Sequence, residues 1–232
     1  DWDNLVILDA CRYDTFDECS TLPGTLKCRI SKGTNTGEFL GGNFADEEFH
    51  DIVYVTGNPH VSRLCEGCFH DIVPVWKTDW DDTLNTVTPA AMVEATEAAA
   101  ETYPNKRIIS HWVQPHAPYI GKFARETFGV KTGITINRMM ATGEIDEVDA
   151  SREEYPNSWS RFLGGEISRS DMIKAYRENL EFALAQLEEL LNGLSGKTVV
   201  TSDHGEMFGD VAWPLPIRRH GHGTKVHTLP LA

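Results

Sequence analysis

The 232-residue sequence has no apolar run near the roughly 20 residues that a membrane span needs. No signal-peptide pattern opens it. Positive charge is scarce: 21 Lys and Arg stand against 35 Asp and Glu, a formal net charge of −14. Gripping nucleic acid takes a basic face, so that partner is excluded, and an anionic membrane surface is disfavoured for the same reason. A phosphate or sulfate ester is not excluded, because a bound divalent cation reverses the local field. Cysteine is sparse too. Cys11, Cys19, Cys28, Cys65 and Cys68 are odd in number and irregular in spacing. That pattern is no disulfide scaffold, and it points to a reducing, cytoplasmic setting. Internal repeats and low-complexity tracts are missing. The remainder is ordinary for a globular chain, 41% hydrophobic and 24% charged, and the length suits one domain with a sizeable core. The chain starts at Asp1 without a Met and stops at Leu229-Pro-Leu-Ala, so trimmed ends are expected.

Several short segments read as strands. Asn4-Leu-Val-Ile-Leu-Asp9 is a continuous apolar run ending in a carboxylate, the pattern of a strand buried on both faces of a parallel sheet. Residues 52–56, 71–76, 106–113 and 198–203 read likewise. Residues 88–101 read as a helix with Thr88 as N-cap and Pro89 in its first turn. In 171–194, Ile173, Tyr176, Leu180, Leu184, Leu187, Leu191 and Leu194 recur at three- and four-residue steps, which predicts a second helix. Residues 121–170 are polar and irregular, as in a lid or an insertion with short helices of its own. Strands alternating with helices argue for an α/β sheet flanked by helices, with ligands beyond the carboxyl ends of the strands.

Five constellations can carry chemistry. Thr201-Ser-Asp-His-Gly-Glu206 sets Asp203 beside His204 at a strand end, an oxygen and a nitrogen that suit Zn²⁺ or Mn²⁺. Its bland alternative is a polar turn. Asp9 follows four apolar residues and wants a cation or several donors, for which Arg12 is the simple candidate. Lys32-Gly-Thr-Asn-Thr-Gly-Glu38 is rich in hydroxyls ahead of an apolar pair; a Thr at a helix start is an ordinary cap, or a nucleophile if a metal lowers its pKa. His111-Trp-Val-Gln-Pro-His116-Ala-Pro-Tyr119 and Arg219-His-Gly-His-Gly-Thr-Lys225 add histidines stiffened by proline or loosened by glycine. Cys65-Glu-Gly-Cys68 with His70 has no second cysteine pair, so an incidental surface loop is expected there rather than a zinc site.

In combination and in order, these segments resemble the alkaline phosphatase superfamily. More closely, the chain looks like archaeal sulfatase-like hydrolases, with likeness to sulfatases, phosphopentomutases and lipoteichoic-acid synthases. The likeness covers nearly the whole chain and includes the helix Ala175-Tyr-Arg-Glu-Asn-Leu180. It implies a three-layer α/β/α sandwich around a mostly parallel sheet, in one catalytic domain over residues 1–232. It implies a divalent metal (Zn, Mn, Mg or Ca) on Asp9, Thr34, Asp203 and His204. The Asp-x-x-x-His pair of two-zinc members is not evident near His116, so one site is expected and a second stays open. Thr34-Asn-Thr-Gly-Glu38 resembles the nucleophile pattern of the phosphopentomutases and synthases and puts the nucleophile on Thr34, with Thr36 as the alternative. Sulfatases convert a Cys within Cys-x-Pro-x-Arg; Cys28-Arg-Ile-Ser-Lys32 departs from that at Ile30 and Lys32. His116 and His222 resemble the histidines that meet the substrate, with His220 as the second choice for the latter. The implied activity is hydrolysis or transfer of phosphate or sulfate esters through a covalent Thr intermediate. A non-catalytic binding domain and a phosphomutase are the rival readings, and 121–170 is short for a phosphomutase cap.

Overall fold

A computed structural model describes residues 2–44, 47–128, 133–146, 158–212, 217–220 and 229–231. The first half runs β1 (Asn4–Leu8), α1 (Tyr13–Cys19), β2 (Lys27–Arg29), α2 (Thr36–Phe44), β3 (Phe49–Thr56), α3 (Pro59–Leu64), β4 (Phe69–Pro74), α4 (Val75–Thr78), β5 (Trp80–Asp81), β6 (Thr86–Val87) and α5 (Pro89–Thr102). The second half runs β7 (Arg107–Trp112), α6 (Lys122–Thr127), α7 (Gly133–Thr142), α8 (Ser158–Leu163), α9 (Arg169–Gly193), β8 (Thr198–Ser202), β9 (Phe208–Ala212), β10 (Ile217–His220) and β11 (Leu229–Leu231).

Five strands form the central sheet in the order β4-β3-β7-β1-β8, and every pairing in it is parallel. Its strands are apolar on both faces because helices cover both. Alternate residues serve opposite cores, as the period of two requires. Val6, Leu8, Val53, Val55, Ile108 and Val200 pack with Met92 and Val93 of α5 and Leu180, Leu184 and Leu187 of α9. Ile7, Tyr54 and Ile109 pack on the other side with Leu40 and Phe44 of α2 and Val61 of α3. This is the three-layer α/β/α sandwich.

Both predicted helices form. Thr88 accepts a hydrogen bond from Ala91 N at 3.3 Å and caps α5. Ser168 caps α9 through Asp171 N at 3.1 Å. The strand expected over 71–76 is displaced: β4 ends at Pro74, and Val75 and Trp76 turn into α4 with both side chains buried. Pro74 has no N–H to extend a ladder, and a short apolar run has no period that separates strand from helix. Between 121 and 170 the described residues contain α6, α7 and α8. Their apolar residues, Ala124 and Phe128 among them, join a third core with Tyr119, Met172, Tyr176 and Phe208. Among the described residues no helix is long and apolar enough to cross a membrane.

Candidate metal centre

Three adjacent strands, β7, β1 and β8, deliver acidic and imidazole groups to one point at the carboxyl end of the sheet. Asp9 follows β1, His111 lies in β7, and Asp203 and His204 follow β8. One ligand atom each from Asp9, His111 and Asp203 lies within 4.8 Å of the others. His204 Nε2 is 3.3 Å from Asp9 Oδ1 and 3.5 Å from Asp203 Oδ2. His111 Nε2 is 3.7 Å from Asp203 Oδ2, beyond hydrogen-bond reach. All four residues are buried.

The donor set fits a divalent cation by its own chemistry. Asp9 Oδ1 and His111 Nε2 are buried with no hydrogen-bond partner. Leaving a carboxylate oxygen so costs several kcal/mol unless positive charge meets it. His204 Nδ1 donates to the Gly205 carbonyl at 2.8 Å. A carbonyl only accepts, so this bond makes Nε2 the lone-pair nitrogen of the neutral ring, the arrangement a metal-bound histidine needs. Mixed oxygen and nitrogen ligands suit Zn²⁺ or Mn²⁺. In the metal-free chain a proton fills the same role. Burial opposes the imidazolium of His204, but Asp203, Asp9 and the Gly205 carbonyl outweigh it and push its pKa up to about 10. Burial likewise opposes ionisation of Asp203, yet His204, His111 and the Ala10 N–H hold it well below the usual carboxylate range.

The backbone is shaped around Asp203. Ala10 adopts φ 57°, a left-handed conformation that costs a non-glycine residue about 1–2 kcal/mol. That turn aims Ala10 N at Asp203 Oδ1, 3.0 Å away, beside His204 N at 2.8 Å. Cys11 N donates to Ser202 Oγ, which donates on to His204 O, so the ends of β1 and β8 are stitched together. Asn58, after β3, donates from Nδ2 to Asp9 Oδ2 at 2.8 Å. Helix α9 braces the remaining loops. Tyr176 Oη accepts from Arg12 N and donates to Ala10 O, at 2.7 and 2.8 Å. Asn179 holds the backbone of residues 115–120.

No protein-family model and no curated protein sequence matches this chain. Solved structures do. The soluble domain of lipooligosaccharide phosphoethanolamine transferase A from Neisseria meningitidis matches with a TM-score of 0.57 and 13% identity, over 98% of this chain and 74% of that one. The C-terminal periplasmic domain of EcEptC from Escherichia coli, in complex with Zn, gives 0.58 and 13%, over 98% and 71%. The lipoteichoic acid synthase LtaP from Listeria monocytogenes gives 0.50 and 11%, over 98% and 64%. The fold is alkaline phosphatase-like.

Within this alkaline phosphatase-like frame, Asp9, Asp203 and His204 converge. The two threonines diverge. Thr34 is half-buried and gives its hydroxyl to Glu38 Oε2 at 2.8 Å; the same oxygen takes Thr34 N. With Asn35 Oδ1 accepting from Glu38 N, this is a capping arrangement that starts α2 at Thr36. Thr36 is buried, and its hydroxyl donates to Asp203 Oδ2 at 2.8 Å. His116 is half-buried; its backbone N donates to Asp9 O at 3.1 Å and its Nδ1 to Ala117 O at 2.6 Å. His222 lies outside the described residues, and His220 ends β10. Arg12 pairs with Asp14 and the Glu206 carbonyl instead of Asp9. Cys65 and Cys68 are free thiols joined by a backbone turn, Cys68 N to Cys65 O at 3.1 Å.

His111, read in the sequence only as one of two histidines closing a strand, and Asn58 and Glu206, given no role there, add to the centre. A histidine inside the apolar run Ile108-Ile-Ser-His-Trp-Val113 was the available signal for the first. Glu206 is buried, and burial raises its pKa although the charges of His116 and His204 work against that.

Proposed function

We propose that this chain transfers or hydrolyses phosphate esters at a divalent-metal centre, with Thr36 as the nucleophile. The observation that carries the reading is the pair of orphaned ligand atoms, Asp9 Oδ1 and His111 Nε2, beside the Asp203 carboxylate that receives the Thr36 hydroxyl. Asp9, Asp203, His204 and His111 would hold the cation. When bound, a divalent cation lowers the pKa of a neighbouring hydroxyl and offsets charge on phosphoryl oxygens.

The protein's own groups do the rest. Asp203 Oδ2 orients the Thr36 hydroxyl from the first turn of α2. Thr36 Oγ1 attacks phosphorus in line, the bond to the ester oxygen breaks, and the hydroxyl proton ends on the departing alcohol. Water or an acceptor alcohol then displaces Thr36 and restores its hydroxyl. His116 Nδ1–H is spent on Ala117 O, so the neutral ring offers a lone pair at Nε2, suited to the proton of the attacking water or acceptor alcohol. His222 is assigned to the phosphoryl oxygens. The structural neighbours support phosphate over sulfate, since they include phosphoethanolamine transferases and a lipoteichoic acid synthase.

The test compares Thr36→Ala with Thr34→Ala in the zinc-loaded protein, over aryl phosphate, phosphodiester and sulfate substrates. Thr36→Ala is expected to lose at least about 10³-fold in kcat, and a trapped phosphoryl adduct is expected on the peptide carrying Thr36. Thr34→Ala is expected to stay within roughly tenfold and to lose about 1 kcal/mol of stability with its cap. The reverse pattern returns the nucleophile to Thr34.

A further inference from the structure

The carboxyl ends of β1, β7 and β8 supply the candidate metal ligands. The end of β3 supplies one more imidazole, His60. We propose that His60 is a neutral hydrogen-bond donor to the transferred phosphoryl group, presenting its Nε2–H beside the metal centre without ligating the metal. The proposal rests on the phosphate-ester reading of the same site.

Position comes first. Asn58 links the two groups: Nδ2 donates to Asp9 Oδ2 at 2.8 Å, and Oδ1 accepts from His60 N at 3.0 Å. Two hydrogen bonds therefore separate the His60 backbone from the Asp9 carboxylate. The turn that carries them is rigid. Thr56 Oγ1 accepts from Asn58 N and donates to Asn58 O. Gly57 N donates to His111 O at 2.9 Å. A Cβ on Gly57 would lie 3.1 Å from Met92 Sδ and 3.3 Å from Val87 Cβ, so this turn packs tightly against its neighbours. His60 is half-buried, which leaves it accessible to a ligand. It also shares the electrostatic field of Asp9, His111 and His116.

Tautomer comes second. His60 Nδ1 lies 3.4 Å from Arg63 Nη2, one turn further along α3. A guanidinium has donors only, so Nδ1 must be the acceptor and the proton of the neutral ring sits on Nε2. His204 and His116 are locked the opposite way, because each spends Nδ1–H on a carbonyl. The division of labour follows from these partners. His204 offers a lone pair to a cation, while His60 offers an N–H to an anion. Burial and the Arg63 charge lower the His60 pKa, which keeps the ring neutral near pH 7.

The test uses the zinc-loaded chain. Long-range proton–nitrogen NMR of His60 is expected to show Nε2 protonated and Nδ1 bare, with Nε2–H moving when inorganic phosphate is added. With the best ester found for the wild type, His60→Ala is expected to lose about 10²-fold in kcat with little change in KM. His60→Gln, which restores an N–H of similar reach, is expected to recover most of that loss. The Asn58 bond survives in both variants, because it uses the His60 backbone N–H. A proton on Nδ1, a phosphate response at His116 with none at His60, or a Gln variant as impaired as Ala each overturns the proposal. A wild type inert toward every ester sinks the catalytic reading alone, since tautomer and phosphate response still decide His60. An active wild type with an equally active His60→Ala variant sinks the His60 role alone.

Discussion

Replacing Asn179 with Ala is expected to damage the site from a helix that carries none of the proposed metal or reacting groups. Asn179 is fully buried. Its Nδ2 faces three carbonyls: Pro118 O at 3.0 Å, His116 O at 3.1 Å and Pro115 O at 3.4 Å. Two protons serve three acceptors, so one bond is shared. Its Oδ1 accepts from Ile120 N at 2.7 Å. Alanine removes all of these partners at once. Each backbone group left buried without one costs about 1–3 kcal/mol. His116 O and Ile120 N are only part-buried, and water can reach them once the loop relaxes. A total loss of roughly 3–5 kcal/mol follows. For a chain of this size that lowers Tm by roughly 6–20 °C. Asn179→Asp sharpens the test, since it keeps volume and the acceptor for Ile120 N but turns an oxygen toward three carbonyls at neutral pH. It is expected to be at least as unstable as Ala at pH 7, and to recover part of the loss in acid as the carboxyl gains a proton. Thermal unfolding of both variants, with kcat alongside, is the assay. An Ala variant within 1 kcal/mol of wild type, or an Asp variant more stable than Ala at pH 7, refutes the clamp.

Two further outcomes follow from the same contacts. Tyr176→Phe removes the hydroxyl that serves Arg12 N and Ala10 O, and is expected to cost about 2–3 kcal/mol in denaturant unfolding and to weaken zinc binding through the Ala10–Asp203 contact; unchanged zinc affinity would uncouple that brace from the metal site. In the metal-free chain the folded pKa of His204 is about 10 against an ordinary 6.5, so its ion-pair contribution is complete below pH 6.5 and is lost as pH climbs through about 10. A cation on the same nitrogen needs the neutral ring, so apparent zinc affinity should rise across that window. Tm measured from pH 6.5 to 9.5 with chelator should fall while the zinc-loaded protein holds; parallel curves would contradict the shared-nitrogen picture.

The parts of the fold that could be read from the chain are those in which local pattern and tertiary placement agree. Leu5-Val-Ile-Leu8 is apolar at every position because helices lie on both sheet faces, and the run ends at Asp9 because the sheet does. The stripe on α9 is read as easily: Tyr176, Leu180, Leu184 and Leu187 turn inward, while Ile173, Leu191 and Leu194 lie half-buried at its margin. Asp9 and Asp203-His204 were legible for the same reason: a carboxylate closing an apolar strand is costly unless charge meets it. His111 was not. Its meaning depends on β7 pairing beside β1, with His111 in register with Ile7, and nothing near His111 in the chain encodes that neighbour. The threonines are a subtler case. Thr34-Asn-Thr-Gly-Glu38 holds a capping signal and a site-facing hydroxyl in five residues. Asn35 and Glu38 set the helix start, and the start decides which hydroxyl meets Asp203.

The capping geometry and the α9 clamps point to a common design. Sheet register places the Cα atoms of Asp9, His111 and Asp203, but it does not set the direction in which the chain leaves each strand. That direction decides where Ala10 N, His116 and the loop behind them point. Tyr176 and Asn179 are three residues apart, hence on one face of α9. They are the polar interruptions of its leucine stripe. One takes hold of the chain leaving β1, the other of the chain leaving β7. A single rigid rod thus sets two exit paths relative to each other, and with them the spacing between Asp9 and His116. Apolar residues at 176 and 179 would satisfy the core equally well, so packing alone does not call for a hydroxyl and an amide there. Their presence is accounted for by the carbonyls and N–H groups of the two loops, and those loops carry the groups proposed to hold the metal and meet the substrate.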